Sequence, residues 1–213
     1  DPNIKAPSFL RERISFPLLG NIPKIDLNKY SVNTVFANDK QLPLLEAEFK
    51  DRIRQLRYDI KDSGSKIILV SSCRPGAGKT VVLKSLAKSL SLSNNKVLII
   101  DANFKNNSLT KEFGLLRPLE DISIFKNNDA NKIESIKQII NEPLISIVGC
   151  KGGSYTTDEA LPENNILANL RTLVFNYILI EGSALIDGPN SYELLKYVDG
   201  ILLVLAADQP LTD

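Results

Sequence analysis

Five short runs of the chain are apolar at nearly every position: Ile67-Ile68-Leu69-Val70, Val97-Leu98-Ile99-Ile100, Ile145 to Val148, Tyr177-Ile178-Leu179-Ile180 and Ile201 to Leu205. Strands that are apolar on both faces belong inside a sheet covered from each side, the usual setting of parallel strands. Between the runs lie stretches with helical character: Thr80 to Leu92, Ser108 to Phe113, Ile133 to Ile140, Glu163 to Leu173 and Ser191 to Tyr197. Alternating strand and helix predicts a doubly wound α/β fold, a mostly parallel sheet with helices on both faces. Ahead of the first strand, Leu45, Phe49, Ile53, Leu56 and Ile60 recur at helical spacing. They predict an amphipathic helix over Leu44 to Asp62, closed by Gly64.

Residues 1–43 read as an N-terminal arm, and residues 44–213 as the α/β domain that holds the apolar runs. In the arm, Phe16 to Pro23 has the look of a short strand bracketed by prolines, and Pro43 marks the turn into the helix. The segments Glu120 to Asp129 and Gly149 to Leu161 lack periodicity and are expected to be mobile surface loops. The chain opens on Asp1 and stops at Asp213 just beyond an apolar run. It is expected to be a piece of something longer, cut short at its C-terminus.

Composition narrows the function. A hydrophobic fraction of 43% and a charged fraction of 24% are ordinary for a globular domain. A net charge of +1 supplies no field toward nucleic acid, so no nucleic-acid partner is expected. Two cysteines, Cys73 and Cys150, are too few for a disulfide framework and suit a reducing, cytoplasmic compartment. No apolar run reaches the roughly 18 to 20 residues needed to cross a bilayer.

The chemistry concentrates at the end of the first strand. Cys73-Arg74-Pro75-Gly76-Ala77-Gly78-Lys79-Thr80 leaves that strand and opens a helix, the context of a phosphate-binding loop. Small residues let successive backbone N–H groups converge on phosphate oxygens, and the helix N-terminus adds partial positive charge. Lys79 is placed to reach the β- and γ-phosphates, and the Thr80 hydroxyl to ligate Mg²⁺. The glycine that usually opens this pattern is replaced by Cys73, which is also small. ATP or ADP with Mg²⁺ is therefore the expected cofactor. Two other strands end in an acid on the same edge, at Asp101 and Glu181. Asp101 is the candidate for orienting the nucleophile and contacting Mg²⁺ through water. Glu181 is the candidate for a second, water-mediated Mg²⁺ contact.

Taken together, these residues resemble the cytoplasmic domain of bacterial tyrosine kinases in polysaccharide co-polymerases, within the deviant P-loop ATPases that include the cell-division-site and plasmid-partition ATPases. Phe16-Pro17-Leu18-Leu19-Gly20-Asn21-Ile22-Pro23 is similar to the segment that follows the family's second membrane span. Asp51, Arg54 and Arg57 resemble its oligomerisation motif, the phosphate loop its Walker A motif, and Asp101 to Leu109 its Walker A′ motif. The resemblance implies an ATP-dependent tyrosine autokinase that controls the chain length or export of a surface polysaccharide. It also implies self-association as a ring and attachment to a membrane-spanning part at the inner membrane. The family's phosphorylated tyrosine cluster would lie beyond Asp213.

The departures from that family fall on catalytic positions. The Walker A′ Asp-x-Asp-x-Arg reads Asp101-Ala102-Asn103-Phe104-Lys105, and the Walker B Asp-x-Pro-Pro reads Glu181-Gly182-Ser183-Ala184. Asn103 drops a negative charge, Lys105 lacks the arginine fork, and Glu181 is a methylene longer. A displacement of ~1 Å can cost ~10²-fold in rate. Two readings follow: an active kinase, or a nucleotide-gated assembly module that no longer transfers phosphate. For Asp51, Arg54 and Arg57, an intersubunit contact and a solvated helix face with local pairs stay equally open. A partition-type ATPase is disfavoured because Arg74 stands where that group has a lysine.

Overall fold

The computed structural model describes residues 15–37, 42–114, 118–121, 137–139, 142–161 and 166–207. Its centre is a six-stranded sheet in the order β3-β4-β2-β5-β1-β6. The strands are β1 (Ile67–Ser72), β2 (Val97–Asp101), β3 (Lys137–Ile139), β4 (Glu142–Val148), β5 (Tyr177–Ala184) and β6 (Gly200–Val204). Five of them run parallel, and β3 joins one edge antiparallel to β4. The fold is the doubly wound α/β arrangement that the apolar runs predict.

Every residue of β1 and β2 is buried, which accounts for the continuous apolar runs. Period-2 alternation splits them between two cores. Ile68, Val70, Val97, Ile99 and Leu179 face α2 (Leu44–Asp62) and α3 (Lys79–Ser91). Ile67, Leu69, Leu98, Ile100, Ile178 and Ile180 face the other side, against Phe104, Leu119, Leu161, Leu170 and Leu194. The helix α2 has the bounds read from its apolar stripe, and Phe49, Ile53, Leu56 and Ile60 are its buried face. Leu45, on the same stripe, is 46% exposed.

Several expectations change. Phe16 to Pro23 forms no strand, because no described strand pairs with it and its prolines cannot donate to a ladder. Within the segment assigned to the arm, α1 (Val32–Phe36) carries Val35 and Phe36 into a third core with Ile25, Phe49 and Ile53. The Ser31 hydroxyl caps it by accepting from the Thr34 N–H. In the stretch expected as a helix over Ile133 to Ile140, Lys137–Ile139 is strand β3; residues 133–136 and 140 lie outside the described set. The helix expected from Glu163 to Leu173 is a 3₁₀ segment over Ile166–Thr172, with 163–165 outside the described residues. Ser191 to Tyr197 divides into α6 (Asn190–Glu193) and a 3₁₀ turn, Leu194–Tyr197. The helix predicted over Ser108 to Phe113 is α4 (Ser108–Phe113). Of the loop expected at Glu120 to Asp129, Leu119–Asp121 is a 3₁₀ turn and the rest lies outside the described residues.

Gly149 to Leu161 is folded onto the body rather than hanging as a surface loop. Cys150, Thr157 and Leu161 are buried, and α5 (Thr157–Ala160) begins with a full capping box between Thr156 and Glu159. The Asn107 amide donates to the carbonyls of Cys150 and Lys151, and the Gly153 N–H donates to the Phe104 carbonyl. Tyr155 packs its ring on Phe104, with centroids 5.3 Å apart.

Candidate nucleotide-binding site

The β1–α3 connection crosses the sheet toward β2, whereas the chain from β5 leaves in the opposite direction, toward β6. Between β1 and β5 lies the topological switch point, where open α/β sheets bind ligands beyond their strand C-termini. A cleft of about 380 Å³ opens there, a size suited to a small ligand. The phosphate loop forms one wall, Asn103, Lys105 and Asn106 a second, and Glu181 with Asp187 a third.

The loop has the backbone that its sequence demands. Gly76 and Gly78 sit at φ 77° and 92°, left-handed values that favour glycine, and Gly78 is the N-cap of α3. Lys79, the first helical residue, is 7% exposed. Its ammonium donates to the Ser72 hydroxyl at 3.3 Å, and Ser72 in turn donates to the Arg74 carbonyl at 2.7 Å. Burial lowers the Lys79 pKa, while the carboxylates of Glu181 and Asp187 oppose the shift. Arg74, Pro75, Gly76, Ala77 and Thr80 complete the loop in the order read from the sequence. Arg74 and Ala77 are half-buried, and neither is among the residues facing the cleft. Cys73 and Cys150 are both free thiols; burial raises the pKa of each.

Glu181 and Asp101 are register partners on adjacent parallel strands, yet their surroundings differ. Glu181 is 1% exposed and accepts from the Thr80 hydroxyl through Oε1 at 2.6 Å. Its Oε2 is buried, and among the described residues nothing donates to it. Burial raises its pKa to about 7; the Thr80 hydrogen bond works against that, the nearby charge of Asp101 adds to it, and Lys79 and Lys84 reduce it. An oxygen donor without a partner, beside a threonine hydroxyl at a phosphate loop, fits a hard cation such as Mg²⁺.

Asp101 is fully buried and does not face the cleft. One oxygen accepts from the Asn103 N–H, and the other accepts from the Thr110 N–H at 2.9 Å and the Thr110 hydroxyl at 2.7 Å. Burial raises its pKa and these three donors oppose the rise. Thr110 also accepts the Cys150 N–H, so Asp101 ties α4 to the end of β4. The structure thus brings Lys79, Thr80 and Glu181 together and sets Asp101 behind them. Asn103 and Asp187 occupy the cleft walls. Asp187 is not among the residues that the sequence motifs single out; its signal is an acid six residues past Glu181, just before Gly188.

Asp51, Arg54 and Arg57 lie on α2, and none of them lines this cleft. Arg54 pairs with Asp51 at 3.0 Å on an exposed face. Arg57 instead donates to the Ser89 carbonyl at 2.9 Å, pinning α2 to the end of α3.

The chain resembles known proteins along most of its length. The tyrosine-protein kinase ptk of Acinetobacter johnsonii is 22% identical over 215 aligned positions, which take in 95% of this chain and 29% of the kinase. The tyrosine-protein kinase CpsD of Streptococcus agalactiae is 27% identical over 157 positions, 71% of this chain and 67% of that one. Both of these relatives are tyrosine-protein kinases. The set extends to the succinoglycan biosynthesis transport protein ExoP of Rhizobium meliloti, 24% identical over 67% of this chain and 19% of that protein. Among solved structures, the kinase domain of Escherichia coli tyrosine kinase ETK superposes with a TM-score of 0.71 at 19% identity, covering 95% of this chain and 82% of that domain. That likeness shows the fold, a doubly wound α/β domain. No family model matches the chain. The chain spans under a third of the length of the Acinetobacter kinase, so it matches one region of a longer relative. Among the described residues no helix is long and apolar enough to cross a membrane.

Proposed function

We propose that this domain binds Mg²⁺-ATP and transfers the γ-phosphoryl group to tyrosine, as part of a system that sets the length or export of a surface polysaccharide. The observation that carries it is the pairing of Thr80 with Glu181 beside a buried Lys79 at the switch point. In this reading the loop amides and Lys79 hold the phosphates, and Thr80 and Glu181 hold Mg²⁺. That ion, when bound, neutralises charge on the β- and γ-phosphates. The tyrosine-kinase relatives and ExoP support the reaction and the polysaccharide setting. The domain acts next to a membrane-spanning part and against further copies of itself, with the exposed Asp51–Arg54 face of α2 as the contact.

Calorimetric titration with Mg²⁺-ADP and Mg²⁺-ATP, beside Lys79→Ala, tests the binding. Saturable binding is expected in the wild type and its loss in the variant. Mass spectrometry of the full-length protein is expected to find phosphotyrosine that Lys79→Ala abolishes. Binding without phosphotyrosine favours the second reading, a nucleotide-gated assembly module, which Asn103, Lys105 and Glu181 motivate.

A further inference from the structure

Among the described residues, two carboxylates line the cleft, Glu181 and Asp187. Glu181 is committed to Thr80. Asp101, at the end of β2, has both oxygens filled by N–H and hydroxyl donors and is fully buried behind the wall. Asn103 on that wall carries no charge and cannot accept a proton from a hydroxyl. Asp187 is half-buried, and among the described residues nothing donates to its carboxylate.

Its backbone is held from two directions. The Ile186 N–H donates to the Cys73 carbonyl at 3.2 Å, fastening the segment to the start of the phosphate loop. The Lys105 ammonium donates to the Asp187 carbonyl, fastening it to the opposite wall. Gly188 follows at φ 127°, a value that L side chains rarely adopt, so the chain turns away sharply and leaves Asp187 at the rim. Asp187 lines the same cleft as Gly76, Gly78, Lys79 and Thr80, the residues proposed to hold the phosphates and the metal.

We propose that Asp187 is the carboxylate that takes the proton from the acceptor hydroxyl, and that Asp101 serves to hold the Asn103–Lys105 wall. This rests on the kinase reading above. The step is balanced. The phenol oxygen bonds to the γ-phosphorus as the bond from phosphorus to the β,γ-bridging oxygen breaks. ADP leaves with that electron pair, and the phenolic proton passes to Asp187 and then to solvent. The arrangement also gives Lys105 a purpose that needs no guanidinium fork, since a single donor to one carbonyl suffices. Lys105 is a positioning residue.

The test is the rate of phosphotyrosine formation by the full-length protein at saturating Mg²⁺-ATP, measured with the dissociation constant for Mg²⁺-ADP. Asp187→Asn is expected to slow the rate by about 10²-fold or more, the scale of a lost general base. Its affinity for Mg²⁺-ADP should stay within about threefold of wild type, which separates a rate effect from a binding effect. Asp187→Glu should recover part of the rate. Lys105→Ala should also slow the rate, by less than Asp187→Asn. A wild-type rate in Asp187→Asn overturns the proposal. So does loss of Mg²⁺-ADP binding in that variant, because the residue then serves binding. So does a reversed pattern in which Asp101→Asn is slowed 10²-fold and Asp187→Asn is not. Absence of any phosphotyrosine in the wild type overturns the kinase reading and this inference with it, an outcome distinct from the other three.

Discussion

Glu181 sits between two states that differ by one proton. Its folded pKa of about 7 lies above the ordinary value of 4.5, so the folded chain binds more protons than the unfolded one across that interval. Stability from this group is therefore full below pH 4.5, falls as pH rises to about 7, and levels off beyond. Glu181→Gln removes the titration. In the absence of nucleotide the variant should match the wild type near pH 4.5 and exceed it at pH 8, by on the order of 3 kcal/mol in urea unfolding. A difference that does not change with pH would contradict the assignment. Thr110 offers a second residue-level test. Thr110→Val keeps the shape but deletes the hydroxyl that donates to Asp101 and accepts from the Cys150 N–H. It should cost about 2 to 4 kcal/mol in urea unfolding, since a buried charge and a buried N–H each lose a partner. At this scale the sequence was most informative where the site is contiguous. Residues 76–80 carry their own geometry, so Lys79 and Thr80 could be named outright. The orientation of Asp101 could not be read, because it is set by Thr110 on a helix nine residues later.

The elements divide by whether their partners are local. For α2, the apolar stripe, Pro43 at its start and Gly64 beyond its end lie within one stretch of chain, and its bounds are those expected. For β3 they do not: Ile136, Ile139 and Ile140 have the i, i+3, i+4 spacing of a helix, and the antiparallel pairing of Lys137–Ile139 with β4 overrides it. The polar face of α2 separates the two readings left open for it. The exposed Asp51–Arg54 pair is worth a few tenths of a kcal/mol within one chain. Asp51→Ala with Arg54→Ala should therefore leave the melting temperature of dilute protein within about 2 °C. If that face meets another copy, sedimentation at high concentration should show association that this double variant loses. Arg57→Ala is different, because its bond to the Ser89 carbonyl joins α2 to α3. It should lower stability by about 1 kcal/mol whatever the assembly state.

At the scale of the molecule, the cleft is a joint between parts that are distant in sequence. The phosphate loop leaves β1, the Asn103–Asn106 wall follows β2, and Glu181 and Asp187 belong to β5 and the turn beyond it. The segment from Gly149 to Leu161 straps two of these walls together. Asn107 and Phe104 hold one end of it, while Thr157 donates to the Asn190 carbonyl and the Asp158 N–H donates to Glu193 at the other. None of these cross-links has a periodic signature, which is why this segment reads as a plain loop in sequence. A ligand that bridges the walls must therefore stabilise all of them at once. With Mg²⁺-ADP at 100 times its dissociation constant, the free energy of unfolding should rise by about 2.7 kcal/mol. Hydrogen exchange should slow together in residues 74–82, 103–107 and 181–188, and also in 150–158, which touches no proposed ligand group. Protection confined to 74–82 would mean that the nucleotide meets the phosphate loop alone, and that the walls after β2 and β5 are not parts of one site.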